Sequence, residues 1–168
     1  MKNEMQDALD SSFARLQRQL GAVAKVMPVD AYSFKPSTGG SGDVRTFGEQ
    51  LRHVGAVQWV IAAALLGEKP PVDVGDGDSG PASLTAKNEI IKYTTDSFAY
   101  IRKAISTTYD KNWLELIPHP FDQETTRVTR LALAVSYAGH GWEHYGQMVV
   151  YQRMNGIVPP PSRPQPRR

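Results

Sequence analysis

The sequence contains no cysteine, and this absence excludes disulfide bonds, thiolate metal sites and a cysteine nucleophile. It also lacks a long apolar run. The best candidate, residues 54–66, is shorter than the roughly 18–20 residues that span a membrane, and it contains Gln58. The N-terminal segment is polar and has no apolar signal core. We therefore expect a soluble, cytoplasmic protein that does not associate with membranes.

An excess of charge of one sign is also missing, since 19 Lys and Arg oppose 17 Asp and Glu. Three of the arginines, Arg163, Arg167 and Arg168, lie in a proline-rich C-terminal segment, so the rest of the chain has no surplus of positive charge. Nucleic acids require a basic surface, and we expect no nucleic-acid binding. A length of 168 residues with 40% hydrophobic composition fits one globular domain. We assign that domain to residues 1–158 and a Pro/Arg-rich tail to residues 159–168.

Four segments place apolar residues at the three- and four-residue steps of an amphipathic helix. The second of them is preceded by Thr46, with Glu49 three residues later, which is the pattern of a capping box. We predict helices over residues 4–26, from 43–46 to 66, from 83 or 85 to 109, and 126–154.

The connections between these helices are long and rich in glycine and proline. Residues 29–42 are predicted to be a loop, residues 68–81 an exposed and mobile segment, and residues 112–123 irregular structure. No segment shows the alternation of a β-strand. The pattern predicts an all-α fold, a four-helix bundle with long connections between helices.

His140 and His144 are four residues apart in the fourth helix and therefore lie on one face, with Cβ atoms roughly 5–6 Å apart. His53 falls on the apolar side of the second helix. Three imidazoles can form an open metal site, but buried histidines can also find hydrogen-bond partners within a polar core. The zinc-protease pattern H-E-x-x-H is absent because Gly141 follows His140.

The remaining candidates have weaker grounds. His119 lies between two prolines in a loop and is interpreted as a structural residue. Glu143 can orient an imidazole or be solvated, and solvation is the favoured interpretation. Tyr145 and Gln147 are candidates only because they are close to His144 in sequence. No catalytic residue or general base can be assigned from the sequence.

The order of these motifs resembles the DinB-like (DinB/YfiT-type) superfamily of four-helix bundles. The matching pieces are residues 32–36, residues 47–54 around His53, residues 139–147 around His140 and His144, and residues 151–163. The resemblance implies that His53, His140 and His144 bind one divalent metal ion, zinc or nickel, with water in the open positions. It also implies a homodimer formed through exposed helix faces, as is common in this family.

Two functions follow from the resemblance and the histidines together. The first is a metal-dependent enzyme, either a hydrolase or a transferase that uses a low-molecular-weight thiol, acting on a small-molecule substrate. Substrate would enter beneath residues 28–42 or 68–81. The alternative is a non-catalytic, stress-associated bundle with a structural metal or metal-free histidines.

Overall fold

The computed structural model describes residues 4–37, 44–108, 112–123 and 125–162. Within them the chain forms four long helices, which confirms the predicted all-α bundle. They are α1 (Glu4–Val26), α2 (Phe47–Leu66), α3 (Lys87–Thr107) and α4 (Arg130–Met154). In this part of the chain no helix is both long and apolar enough to cross a membrane.

The helices pack as a ring in which α1 contacts α3 and α4, and α2 contacts the same two helices. Helix α2 is apolar on most of its surface, and most of its residues are buried. At Gly55 it approaches α3 so closely that a Cβ atom would lie 2.9 Å from Cδ1 of Tyr93. Since α2 and α4 are neighbours, the helix of His53 lies beside the helix of His140 and His144.

The start of α2 is fixed by the predicted capping box. The Oγ1 of Thr46 accepts a hydrogen bond from the backbone N–H of Glu49 at 3.2 Å, and Oε2 of Glu49 accepts one from the N–H of Thr46 at 2.7 Å. Gly67 ends the helix with a left-handed φ of 72°. The Thr46 cap and the end before Gly67 were predicted correctly, and the first helical residue, Phe47, follows the predicted start at residues 43–46. His53 lies about two turns from this N-terminus.

The prediction of irregular structure followed by a helix from residue 126 was wrong. Two short strands, β1 (Leu116–Pro118) and β2 (Arg127–Thr129), pair antiparallel, with Ile117 opposite Val128. Helix α4 begins only after β2, where the side chain of Thr129 accepts a hydrogen bond from the N–H of Ala132. Pairing with β1 satisfies backbone N–H and C=O groups of β2, and the Thr129 side chain satisfies an N–H in the first turn of α4. These groups therefore have partners without an N-terminal extension of the helix.

Helix α3 also begins later than predicted, at Lys87 rather than at residue 83 or 85. The N–H of Leu84 donates to the carbonyl of Pro81, and this turn occupies the residues that were assigned to the first helical turn. The helix ends at Thr107, and the predicted end at Tyr109 lies outside the described residues.

The segment of residues 68–84 is packed against the bundle more closely than predicted. Gly80 and Pro81 are buried. Arg52 of α2 donates from Nε to the carbonyl of Ser79 at 3.0 Å and from Nη1 to the carbonyl of Leu84 at 3.1 Å. Residues 68–79 are exposed or half-buried, in line with the prediction, and the connection becomes buried only at Gly80 and Pro81, close to the two carbonyl groups that Arg52 binds.

The first residues of the predicted tail also contact the bundle. Pro159 is buried, residues 160–162 form a 3₁₀ turn, and Arg153 donates a hydrogen bond to Oγ of Ser162 at 2.8 Å. The domain boundary at residue 158 stays a prediction, and residues 163–168 lie outside the described ranges.

Candidate functional site

The three histidines of the predicted site meet at the contact between α2 and α4. The Nε2 atom of His53 lies 3.1 Å from Nε2 of His140 and 3.1 Å from Nε2 of His144. The Nε2 atoms of His140 and His144 are 3.0 Å apart. All three imidazoles therefore direct the same ring nitrogen at one point between the helices.

The far nitrogen of His53 is held by the connection between α2 and α3. Its Nδ1 lies 2.8 Å from the backbone carbonyl oxygen of Asp78. A carbonyl oxygen can only accept a hydrogen bond, so Nδ1 carries the proton and Nε2 presents a lone pair to the other two rings. The same connection places the Asp78 carboxylate 3.5 Å from Nδ1, on the side of the ring away from Nε2.

His144 is oriented by two glutamine side chains. Its Nδ1 lies 2.6 Å from Oε1 of Gln50 and 3.0 Å from Oε1 of Gln147, while Nε2 of Gln50 donates to Oε1 of Gln147 at 2.9 Å. In this arrangement Nδ1 of His144 donates and its Nε2 is unprotonated. Two of the three facing nitrogens are thus fixed as acceptors.

The two acceptor nitrogens of His53 and His144 repel each other unless a proton on Nε2 of His140 or a cation lies between them. Protonation of a ring to the imidazolium is an unfavourable solution, since burial lowers the pKa of His53, lowers that of His140 to about 4 and lowers that of His144 to about 3. Repulsion from the neighbouring imidazoles contributes to the low pKa values of His140 and His144 after burial. At neutral pH the cluster therefore consists of neutral imidazoles, the form that binds metal ions.

The size of the cluster fits one divalent ion. The three Nε2 atoms form a triangle with sides of 3.0–3.1 Å, whose centre is about 1.8 Å from each nitrogen. An ion slightly above that plane would lie at the usual zinc–imidazole distance of about 2.1 Å from all three nitrogens. Among the described residues, this group is the one set of three or more His, Cys, Asp or Glu side chains close enough to hold an ion together. Neither a carboxylate nor His119 joins it.

The other candidates named from the sequence lie in different places. Glu143 is exposed, as the favoured interpretation held. Tyr145 packs its ring against Trp142, with centroids 5.3 Å apart. His119 is separated from the cluster by Tyr137, whose ring centroid lies 6.3 Å from that of His119 and 5.7 Å from that of His140. Of these candidates, Gln147 described above is the one that bonds to a clustered histidine.

Sequence reasoning missed two groups that orient the histidines, Gln50 and the carbonyl of Asp78. Gln50 precedes His53 by three residues on α2, so the helical spacing placed both on one face and could have identified it. The role of Asp78 could not be predicted from the sequence, because its backbone carbonyl binds His53 and every residue type has such a carbonyl.

A cavity of about 750 Å³ lies next to the cluster, and His144 forms part of its wall. Pro36 and Ser79, from the connections on either side of α2, also line it. The remaining lining residues are Val44, Arg45, Glu49, Gln50, Arg52, Gln147 and Tyr151. The cavity is large enough for a small organic molecule and is walled by more polar than apolar side chains.

Comparison with known proteins agrees with this architecture. The sequence pattern of the DinB superfamily matches residues 12–148, a span that includes all three clustered histidines. The crystal structure of YjoA, a DinB-like protein from Bacillus subtilis, is similar to the chain with a TM-score of 0.67, covering 90% of this chain and 93% of that one at 17% identity. This likeness shows a shared fold. No curated protein matches the sequence. Because the family pattern extends over most of the chain, the chain belongs to the DinB superfamily.

Proposed function

We propose that this protein is a metal-dependent enzyme in which His53, His140 and His144 bind one divalent ion beside the substrate cavity. The observation that carries the proposal is the convergence of three Nε2 atoms within 3.1 Å of one another, with hydrogen bonds that keep two of them unprotonated. Zinc or nickel suits three imidazole ligands, since both are borderline ions that bind nitrogen well.

A catalytic metal site differs from a structural one in having an open coordination position. Structural zinc is normally closed by four protein ligands, whereas catalytic zinc keeps an exchangeable position. In the described part of the chain no fourth His, Cys, Asp or Glu joins the group. The same group also borders a cavity through His144, which supports access by a small-molecule substrate.

The chain's own residues would prepare the site for catalysis. Gln50 and the Asp78 carbonyl fix the rotation and the tautomer of their imidazoles, and burial keeps the rings of His53 and His144 neutral. A divalent ion held there supplies Lewis acidity and lowers the pKa of a water or thiol. The reaction class that fits is hydrolysis or transfer of a low-molecular-weight thiol. A homodimer and a cytoplasmic location stay predictions from the sequence.

An open site can be tested by loading the protein with cobalt(II) and adding a small anionic ligand such as azide. If the ion has exchangeable positions, azide will change the visible absorption spectrum of cobalt, and the metal-loaded protein will be the form to assay for hydrolysis and thiol transfer. A spectrum of four-coordinate cobalt that azide leaves unchanged would contradict the enzyme proposal and favour a structural metal.

Replacing Gln50 with leucine should weaken metal binding by about 10- to 100-fold, the usual effect of losing a partner of a histidine ligand. Leucine keeps an apolar side chain that ends one atom short of Oε1, and it cannot accept the hydrogen bond from Nδ1 of His144. The dissociation constant for zinc, measured by competition with a chromophoric chelator, reports the effect. Glu49→Gln is a matched control, because residue 49 is exposed and glutamine preserves the capping box. Equal affinities in wild type and Gln50→Leu would show that Gln50 does not support the site.

A further inference from the structure

The cavity beside the histidines has an asymmetric set of charges. Arg45 and Arg52 line it together with one acid, Glu49. Two of these three side chains already have charged or structural partners. Arg45 forms an ion pair with Asp78 at 3.1 Å, and Glu49 accepts a hydrogen bond from the N–H of Thr46 in the capping box.

Among the described residues, Arg52 is the cavity arginine that forms no ion pair, although it lies near enough to Glu49 to lower the pKa of that carboxyl. Its Nε and Nη1 donate to the backbone carbonyls of Ser79 and Leu84, which carry no net charge. Within the described residues no carboxylate forms an ion pair with its guanidinium, and its Nη2 has no hydrogen-bond acceptor. A guanidinium is an effective partner for carboxylates, which it binds through parallel N–H groups.

The position of Arg52 is fixed before any ligand arrives. The two carbonyl bonds hold the guanidinium, and Gly80 packs against the side-chain stem so tightly that a Cβ atom on Gly80 would lie 2.5 Å from Cγ of Arg52. An immobilised donor loses little entropy when it binds a ligand. Arg52 directly precedes His53, so the charge and one histidine of the cluster lie in the same turn of α2.

We infer that the cavity takes a small molecule that carries a carboxylate, which Arg52 binds while the reactive group of the molecule faces the three histidines. This inference rests on the proposed function, because the histidine end is taken to hold the ion. Arg45 is already paired with Asp78 at the cavity wall, so the carboxylate of the ligand is assigned to Arg52 alone.

Three hydroxamic acids with tails of matched length test this inference on the zinc-loaded protein. Butyrohydroxamic acid ends in a methyl group, succinic monohydroxamic acid in a carboxylate, and 3-aminopropionohydroxamic acid in an ammonium group. The hydroxamate anchors each probe to the ion. We expect the carboxylate probe to bind at least about tenfold more tightly than the methyl probe in isothermal titration calorimetry, and the ammonium probe to bind more weakly than either.

Two substitutions of Arg52 separate the effect of its charge from the effect of its contacts with residues 79–84. Arg52→Lys keeps the charge and should retain part of the preference for the carboxylate probe, whereas Arg52→Gln should abolish it. Glu49→Gln removes the opposing charge and should increase the preference. If the preference persists in Arg52→Gln, or if lysine and glutamine lose it equally, the inference is overturned.

The zinc content of each variant, measured before titration, distinguishes a failure of the proposed metal site from a failure of the carboxylate assignment. A wild-type protein that takes up no zinc contradicts the proposed function and removes the anchor on which the inference rests. A protein that holds one zinc per chain but binds the three probes equally leaves the metal site intact and overturns the carboxylate assignment alone.

Discussion

Replacing His140 and His144 together with alanine is expected to abolish divalent-metal binding while the helical bundle persists. The double variant leaves His53 as the single ligand of the cluster, and one imidazole cannot hold zinc or nickel against water. The fold should survive because alanine is the best helix former and both positions lie inside α4. Equilibrium dialysis with zinc measures the loss, and circular dichroism measures the helix content.

His119→Ala is the matched control for this experiment. It also removes one imidazole, but His119 lies outside the cluster, in the hairpin that precedes α4. It should bind zinc as the wild type does. If the double variant bound zinc with wild-type affinity, or if His119→Ala lost the ion, the assignment of the ligands would be wrong.

Removing the ion with a chelator should lower the stability of the wild-type protein substantially. An ion that binds only the folded state contributes about 2.7 kcal/mol when its free concentration is 100-fold above its dissociation constant. For a domain of this size that corresponds to a decrease in Tm of about 5–10 °C. Thermal unfolding followed by circular dichroism, with and without chelator, measures the change.

The double variant His140→Ala/His144→Ala supplies the control for the chelator. Its Tm should not respond to chelator or to added zinc, because the site is absent. Equal Tm values for the wild type with and without chelator would mean that the histidines satisfy a polar core without a metal, which is the alternative left open by the sequence.

The metal-free protein should also lose stability as the pH falls. Burial lowers the folded-state pKa of His140 to about 4 and of His144 to about 3, whereas an unfolded histidine titrates near 6.5. Below pH 6.5 the unfolded chain therefore binds more protons than the folded chain, and stability decreases until the folded-state pKa values are reached. Urea unfolding of metal-free protein from pH 7 to pH 4 should show this decrease, and the double variant should show a smaller one.

The helices and the His140/His144 pair were visible in the sequence because both depend on local spacing. Thr46 and Glu49 cap α2 through residues three apart, and His140 and His144 share a face because they are four apart. His53 joins them through the contact of α2 with α4. Spacing within one helix does not specify that contact, and the family resemblance supplied the expectation.

The strands and the loop beside the site were missed for a different physical reason. β1 and β2 have three residues each, and their stability comes from pairing with one another, so neither shows a period of its own. The connection after α2 bends at Gly75 and Gly80, both with positive φ, and this bend brings the Asp78 carbonyl to His53. Glycines indicated a turn there, but residue type cannot show where a carbonyl points.

The most direct test of the metal site is the metal content of the untagged protein, purified without chelators and measured by elemental mass spectrometry. The convergence of His53, His140 and His144 predicts close to one divalent ion per chain. A protein that contains no ion, and that takes up neither zinc nor nickel when they are added, would contradict the metal-dependent function.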